Sequence, residues 1–156
     1  MKKNLTSSTS ETNFSIIHNN LRSLNANLEK FQIHLLNELA FEIDVIGISE
    51  TKITNSSLPL KTNLNIPGYN FEYVPTPLAS GGVGMYINSI LNYSVLEKNS
   101  NSDYQALWIE IQFSNQENII CGAVYRQHSS PVNFLNFIEN TLERYNKKEK
   151  SVFLIG

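Results

Sequence analysis

The stretch Asp44-Val-Ile-Gly-Ile-Ser-Glu50-Thr-Lys52 decides the fold of this chain. Val45, Ile46 and Ile48 place apolar side chains on both faces of an extended segment, which predicts a central strand. Glu50 follows at the point where this strand must leave the core. A carboxylate there costs free energy unless a partner pairs with it, and a metal ion or a catalytic role is the usual reason for one. On position alone, a solvated loop glutamate is the alternative.

Length and charge limit the classes of function. A chain of 156 residues is long enough for one domain with its own core. Its net charge of -2 excludes binding of nucleic acid by bulk positive charge. Contact with nucleic acid must therefore be local, or be assisted by a bound cation.

The lone cysteine and the absence of long apolar runs bear on location. Cys121 cannot form an internal disulfide, which favours an intracellular, reducing setting and an inert core position. No apolar run reaches the length of a membrane span, and the polar N-terminus has no signal-peptide pattern. We expect no membrane partner.

Around Glu50 the pattern predicts a strand, a helix and a strand. Residues 14–20 form the first strand, Asn25 caps a helix that begins at Ala26, and the strand before Glu50 follows. The helix has an apolar stripe, formed by Leu28, Phe31, Leu35 and Leu39. This unit predicts a right-handed crossover with parallel pairing. Residues 1–13 are polar and are expected to form a disordered tail, with the domain covering 14–156.

Further strands and one more helix follow. Ile66-Pro-Gly68 predicts a turn, and 115–118 a hairpin loop. Strands are predicted at 69–74, 85–87, 93–96, 106–113 and 119–125, and a last buried strand at 151–155. The strand at 106–113 alternates as a half-exposed strand does. The second helix is predicted to begin with Ser130 as cap and Pro131 at its first position. Its apolar stripe comprises Phe134, Ile138, Leu142 and Tyr145.

Polar groups stand at the exit ends of three apolar strands. They are Asn20, Glu50 and Tyr125, with Arg126 beside the last. Because sites in open α/β sheets gather outside the carboxyl ends of strands, we expect these groups to meet. A carboxylate can hold a hard cation, and an amide or a phenol can contact phosphate. The combination indicates metal-assisted phosphodiester chemistry.

Five motifs in order resemble the endonuclease/exonuclease/phosphatase superfamily. They are Asn20-Leu-Arg-Ser-Leu24, Asp44 to Thr51, Pro67-Gly-Tyr69, Ser80-Gly-Gly-Val-Gly84 and Gly122-Ala-Val-Tyr-Arg126. The first and last are most similar to the apurinic-type endonuclease domain of LINE-type non-LTR retrotransposons. The resemblance implies an α/β (α+β) fold: the N-terminal part of a four-layer α/β/β/α sandwich, with a mixed sheet and flanking helices.

The resemblance also implies roles for individual residues. Glu50 matches the metal-binding glutamate, which places Mg²⁺ (or Mn²⁺) against the scissile phosphate. Asn20 matches the asparagine near the metal and phosphate, which implies a catalytic residue that also binds the metal. Tyr125 matches the catalytic tyrosine that contacts the phosphate. Arg22, Arg126 and His128 are assigned to phosphate or DNA contact. Arg22 stands where apurinic endonucleases often carry aspartate, although retrotransposon-type relatives also carry arginine there.

The family pattern continues beyond the last motif found here. In the family the final strand leads into Gly-Asp-Phe-Asn, a second sheet and a Ser-Asp-His motif. These supply the aspartate that orients the water, its neighbouring asparagine and the general-base histidine. The sequence in hand reaches Gly156, so we expect a truncated domain, inactive alone and exposing one sheet face. In the parent protein the resemblance implies DNA as substrate, a 3′-hydroxyl nick, a C-terminal reverse transcriptase domain and access to the nucleus.

For several residues, an interpretation from sequence position alone remains as an alternative to the role that the resemblance implies. His18 is expected to be a core or hydrogen-bonded residue, His34 to lie on a solvated helix face, and His128 to lie near the site without serving as the base. The glycines at 81, 82 and 84 favour a tight turn. A phosphatase of the same superfamily and a non-catalytic remnant or interaction module are the alternative functions.

Overall fold

The computed structural model describes residues 13–38, 42–56, 64–128, 131–146 and 150–156, and within these ranges six strands lie between the two helices. In order, the elements are β1 (Ile16–Asn20), α1 (Leu24–Glu38), β2 (Val45–Ser49), β3 (Tyr69–Val74), β4 (Val83–Asn88), β5 (Asn92–Ser100), β6 (Tyr104–Gln112), β7 (Ile119–Arg126), α2 (Pro131–Asn146) and β8 (Ser151–Ile155).

The first sheet is built around the strand that precedes Glu50. Its order is β1-β2-β4-β3, with β1 and β2 parallel and the other pairs antiparallel. The predicted strand-helix-strand unit is therefore confirmed. Every residue of β2 is buried, because Ile46 and Ile48 pack under α1 while Val45 points to the opposite face. The prediction of a central strand is confirmed.

A second sheet covers the other face of the first. Its order is β5-β6-β7-β8, and only β7 and β8 are parallel among its described pairs. Val45 and Met85 of the first sheet pack with Leu107, Ile109 and Cys121 of the second. The expectation of a single sheet with one exposed apolar face is wrong, since the residues after 91 already supply the facing sheet.

Each helix covers the outer face of one sheet. Leu28, Phe31 and Leu35 of α1 pack on the first sheet, and α2 packs on Trp108 of β6 through Tyr145 and its predicted apolar stripe. The layers are thus helix, sheet, sheet and helix, as the fold prediction requires.

Several local predictions need correction. Helix α1 begins at Leu24, so Asn25 lies inside it and does not cap it. Strand β6 is not half-exposed, because Trp108 is fully buried beneath α2. Strand β8 is not buried: it forms the edge of its sheet, and Phe153 and Leu154 are 39% and 41% exposed.

Other predictions are confirmed or lie outside the described residues. Cys121 is buried, and burial raises the pKa of its thiol to about 12, as suits an inert core position. Residues 1–12 of the expected tail at 1–13, Leu39 and the Ser130 cap fall outside the described ranges. None of the described helices is long and apolar enough to cross a membrane.

Candidate functional site

Five of the six predicted site residues line one cavity at the carboxyl ends of β1, β2 and β7. Its volume is about 500 Å³, and its walls come from both sheets. The lining residues are His18, Asn20, Ser49, Glu50, Val124, Tyr125, Arg126, His128, Phe134 and Gly156. Asn20, Glu50 and Tyr125, which follow or end three different strands, therefore line one cavity, as the strand pattern predicted. Arg22 is exposed and is not among the lining residues.

A short chain of hydrogen bonds orients the carboxylate of Glu50. Asn20 Nδ2 donates to Glu50 Oε1 at 2.8 Å. The backbone N–H of Arg22 donates to Asn20 Oδ1 at 3.1 Å, which fixes the direction of the amide. Asn20 therefore presents its nitrogen to the carboxylate, and in this arrangement it holds Glu50 in place.

The backbone at Glu50 adopts a conformation that side chains rarely accept. Glu50 has a φ of 53° and Lys52 one of 55°, both in the left-handed region. Backbone hydrogen bonds to the glycine turn maintain it, because Thr51 N–H donates to the Gly82 carbonyl (3.2 Å) and Lys52 N–H to the Gly81 carbonyl (2.9 Å). Strain of this kind persists where the surroundings over-determine it.

The glycine turn is fitted closely between the two sheets. Gly81 and Gly82 have φ of 96° and 83°. A β-carbon on Gly82 would collide with the Thr51 hydroxyl, and one on Gly81 with the amides of Gln105 and Gln127. The predicted tight turn is confirmed, and it also supports the loop that carries Glu50.

Tyr125 brings a phenol from the second sheet to the cavity. Burial raises its pKa, the negative charge of Glu50 raises it further, and a hydrogen bond with Ser80 opposes the rise. The phenol is therefore protonated at neutral pH and available as a hydrogen-bond donor.

Sequence reasoning missed two buried glutamines beneath the site. Gln105 is 0% exposed and Gln127 is 7% exposed. Gln105 Oε1 accepts from Gly82 N–H at 3.0 Å, and Gln127 Nε2 donates to the Ser80 carbonyl at 3.1 Å. A signal was present for Gln105, because it shares the inward face of β6 with Leu107, and a polar residue in such a register calls for a specific partner.

Two histidines line the cavity and the third does not. His18 is exposed rather than in the core, but its Nε2 lies 3.1 Å from Ser49 Oγ, so the hydrogen-bonded expectation is confirmed. Partial burial of the ring lowers its pKa below 6.5. His128 is exposed at the rim near Tyr125, and His34 is exposed on α1.

The donor set fits a cation completed by ligands from outside the protein. Among the described residues no three His, Cys, Asp or Glu side chains cluster as a metal cage. Glu50 offers one carboxylate, of which Oε1 already accepts from Asn20. Mg²⁺ characteristically binds through one or two carboxylates plus water and substrate phosphate, and this site can supply that arrangement.

Comparison with solved structures identifies the same architecture elsewhere. The endonuclease domain of TRAS1, a telomere-specific non-LTR retrotransposon, superposes with a TM-score of 0.60 at 10% identity over 85% of this chain and 54% of that one. The AP endonuclease LMAP from Leishmania major gives 0.54 at 16% identity, over 86% and 46%. The 3′-5′ exonuclease NExo from Neisseria meningitidis gives 0.54 at 19%, over 86% and 52%.

The chain has the endonuclease/exonuclease/phosphatase fold. The predicted resemblance is thereby confirmed at the level of architecture. The chain spans about half the length of these structures. No protein-family model matches the sequence, and a search of curated proteins found no match.

Proposed function

We propose that this chain carries the metal- and phosphate-binding side of a Mg²⁺-dependent DNA endonuclease site. One observation carries the proposal: Glu50 and Asn20 from the first sheet and Tyr125 from the second line the same cavity. The fold shared with two endonucleases and an exonuclease supports it.

The side chains have separate tasks in this proposal. Glu50 is the metal ligand, and a divalent cation bound there would neutralise developing charge on the phosphate oxygens. Asn20 donates to Oε1 of the Glu50 carboxylate and so restrains the rotation of that carboxylate. Tyr125 donates its phenolic proton to a phosphate oxygen. Arg126 and His128 at the rim, and Arg22 on the neighbouring loop, contact the DNA backbone.

Activation of the attacking water is not assigned to any of these residues. His18 is engaged with Ser49, and His128 lies at the rim. The proposed activity of the 156-residue chain is therefore cation-dependent binding of DNA. Its strand nicking should be far slower than nicking by a site that includes a general base. A site without a positioned general base lacks the factor of about 10²–10⁴ in rate that such a group contributes.

The likeness to the TRAS1 endonuclease domain supports a biological setting. We propose nicking of a retrotransposon target site, within a longer protein that also contains a reverse transcriptase domain and reaches the nucleus.

The test measures how Mg²⁺ changes DNA affinity. Fluorescence anisotropy of a labelled duplex is recorded with and without Mg²⁺ for the wild type, Glu50→Gln and Glu42→Gln. Glu42 is an exposed carboxylate at the opposite end of β2, so its variant controls for the same change of charge. We expect Mg²⁺ to tighten binding at least about tenfold in the wild type and in Glu42→Gln, the scale on which metal-site residues act.

The Glu50→Gln variant should lose this enhancement because an amide is a far weaker ligand for Mg²⁺. Equal Mg²⁺ enhancement in both variants would contradict a metal role for Glu50. Plasmid nicking measured on the same samples separates binding from catalysis.

A further inference from the structure

We infer that Gln105 is a positioning residue: its buried amide sets the conformation of the Glu50 loop and ties it to Tyr125 on the facing sheet. The inference rests on the proposed function in assigning the metal to Glu50. The structural coupling itself is independent of that assignment.

The amide of Gln105 is buried, and both of its ends are used. Oε1 accepts from Gly82 N–H at 3.0 Å, and Nε2 donates to the Asn101 carbonyl at 2.7 Å. The side chain is 0% exposed. Because both ends are paired inside the protein, the amide is fixed in orientation as well as in place.

Gly82 passes this constraint to the first sheet. Its N–H is held by Gln105, and its carbonyl accepts from Thr51 N–H, the residue directly after Glu50. The neighbouring Gly81 carbonyl accepts from Lys52 N–H. The peptide between Gly81 and Gly82 thus connects the Gln105 side chain of β6 to Lys52, in the backbone that holds Glu50 at its positive φ.

The same group of residues also reaches Tyr125. Gln105 and Tyr125 are direct partners in the pairing of β6 with β7. Gln127 Nε2 donates to the Ser80 carbonyl, and the ring of Tyr125 lies 3.1 Å from where a β-carbon on Gly81 would stand. The glycine turn therefore contacts the supports of both proposed ligand-binding groups, one from each sheet.

Chemistry explains why an amide suits this position. An apolar side chain of similar size would leave Gly82 N–H buried without a partner, which costs its full desolvation. A carboxylate would keep an acceptor for Gly82 but would turn an oxygen toward the Asn101 carbonyl. Gln105→Leu therefore breaks the connection, whereas Gln105→Glu retains the half of it that faces the glycine turn.

The test follows the amides of Thr51 and Lys52 by hydrogen exchange in the full chain. In Gln105→Leu we expect their exchange to accelerate about tenfold or more. Gln105→Glu should stay closer to the wild type. The control is Tyr69→Phe, which removes a 2.9 Å hydrogen bond to the Ile43 carbonyl at the opposite end of the first sheet. It should lower stability without selectively exposing Thr51 and Lys52.

A second readout is the affinity for Mn²⁺ alone, measured by titration. Gln105→Leu should weaken it about tenfold, the usual effect of losing an outer-shell partner, and Tyr69→Phe should not. If Gln105→Leu does not fold, Gln105→Asn withdraws the same acceptor with a smaller change and is measured in its place.

The outcomes separate the two proposals. Unchanged exchange at Thr51 and Lys52 in the Gln105 variants overturns the positioning role. If exchange is faster but Mn²⁺ affinity equals that of the wild type, Gln105 contributes only to structure, and the positioning role is again overturned. Mn²⁺ binding that is indifferent to Glu50→Gln counts against the proposed function, while the exchange result still decides whether Gln105 holds the loop.

Discussion

The two sheets have the same plan and carry different chemistry. Each sheet has one edge strand that pairs in parallel with its neighbour. Starting from that strand, the first sheet is β1-β2-β4-β3 and the second is β8-β7-β6-β5, with matching strand directions. Glu50 follows β2 and Tyr125 ends β7, so the site forms where the equivalent inner strands of the two sheets end. The difference lies in the polar groups: the first sheet supplies a carboxylate, and the second a phenol and two buried amides. Neither sheet alone contains the site.

The parallel edges differ most. Strand β1 leaves the sheet through Asn19 and Asn20, whereas β8 is apolar on both of its faces and partly exposed. Among the described strands β8 pairs on one side only, and an edge of that kind is a template for pairing with another strand. The same topology thus ends in polar residues at the parallel edge of one sheet and in partly exposed apolar residues at the parallel edge of the other.

The largest effect is expected from removing the aromatic side chain that anchors a helix. Trp108 on β6 and Tyr86 on β4 occupy corresponding strands, and both are fully buried toward a helix. We expect Trp108→Ala to cost about 3–5 kcal/mol. Because the sheets share one inter-sheet core, the loss should appear in both.

Thermal melting combined with hydrogen exchange in β2 and β7 measures this. Tyr86→Ala provides the matched change in the other sheet. Exchange that accelerates only in the mutated sheet would show that the sheets unfold separately, contrary to the shared core.

A smaller effect should distinguish the inner strands. Gly47 of β2 and Gly122 of β7 each leave no room for a β-carbon. At Gly47 the obstacle is the end of the flexible Ile155 side chain, and at Gly122 it is the buried ring of Trp108. We expect Gly122→Ala to destabilise by about 1–3 kcal/mol and Gly47→Ala by clearly less. Denaturant unfolding of the two variants tests this, and the reverse order would mean that the edge strand is the more rigid neighbour.

The smallest effect on stability concerns the exposed edge. Leu154→Lys changes a side chain that is 41% exposed, so stability should shift by no more than about 0.5 kcal/mol. Self-association at high concentration should nevertheless fall, because charge on an edge strand opposes pairing. Sedimentation velocity measures it. The control, Ile33→Lys, changes an equally apolar exposed residue on α1, and an equal reduction from it would point to general surface hydrophobicity.

Much of this arrangement could be predicted from the sequence. The run at Val45–Ser49 predicted a central strand because apolar residues occupy both of its faces, and the parallel pairing of β1 with β2 followed from the helix between them. The meeting of Asn20, Glu50 and Tyr125 followed from the rule that strand ends share one edge. These features depend on local periodicity and general topology.

What was missed depends on contacts between distant segments. The burial of β8 was mispredicted because an apolar strand shows that it needs a partner but not whether one covers it. The second sheet was expected to follow the last strand of this sequence. The reason is that the sequences of strands 92–100 and 104–112 do not show which sheet those strands join. The link between Gly82 and Gln105 spans 23 positions, and only the folded chain brings that amide to the turn.

The positive φ of Glu50 has a consequence for evolution. A glycine there would relieve the backbone and an asparagine would reduce the strain, so a chain selected only for thermal stability would tend to discard this carboxylate. Retention of glutamate against that pressure would mark a requirement for its chemistry. At position 50 the residue that best suits stability therefore differs from the residue that suits activity. The hydrogen bonds from Thr51 and Lys52 to the glycine turn hold the backbone at its positive φ in spite of the strain.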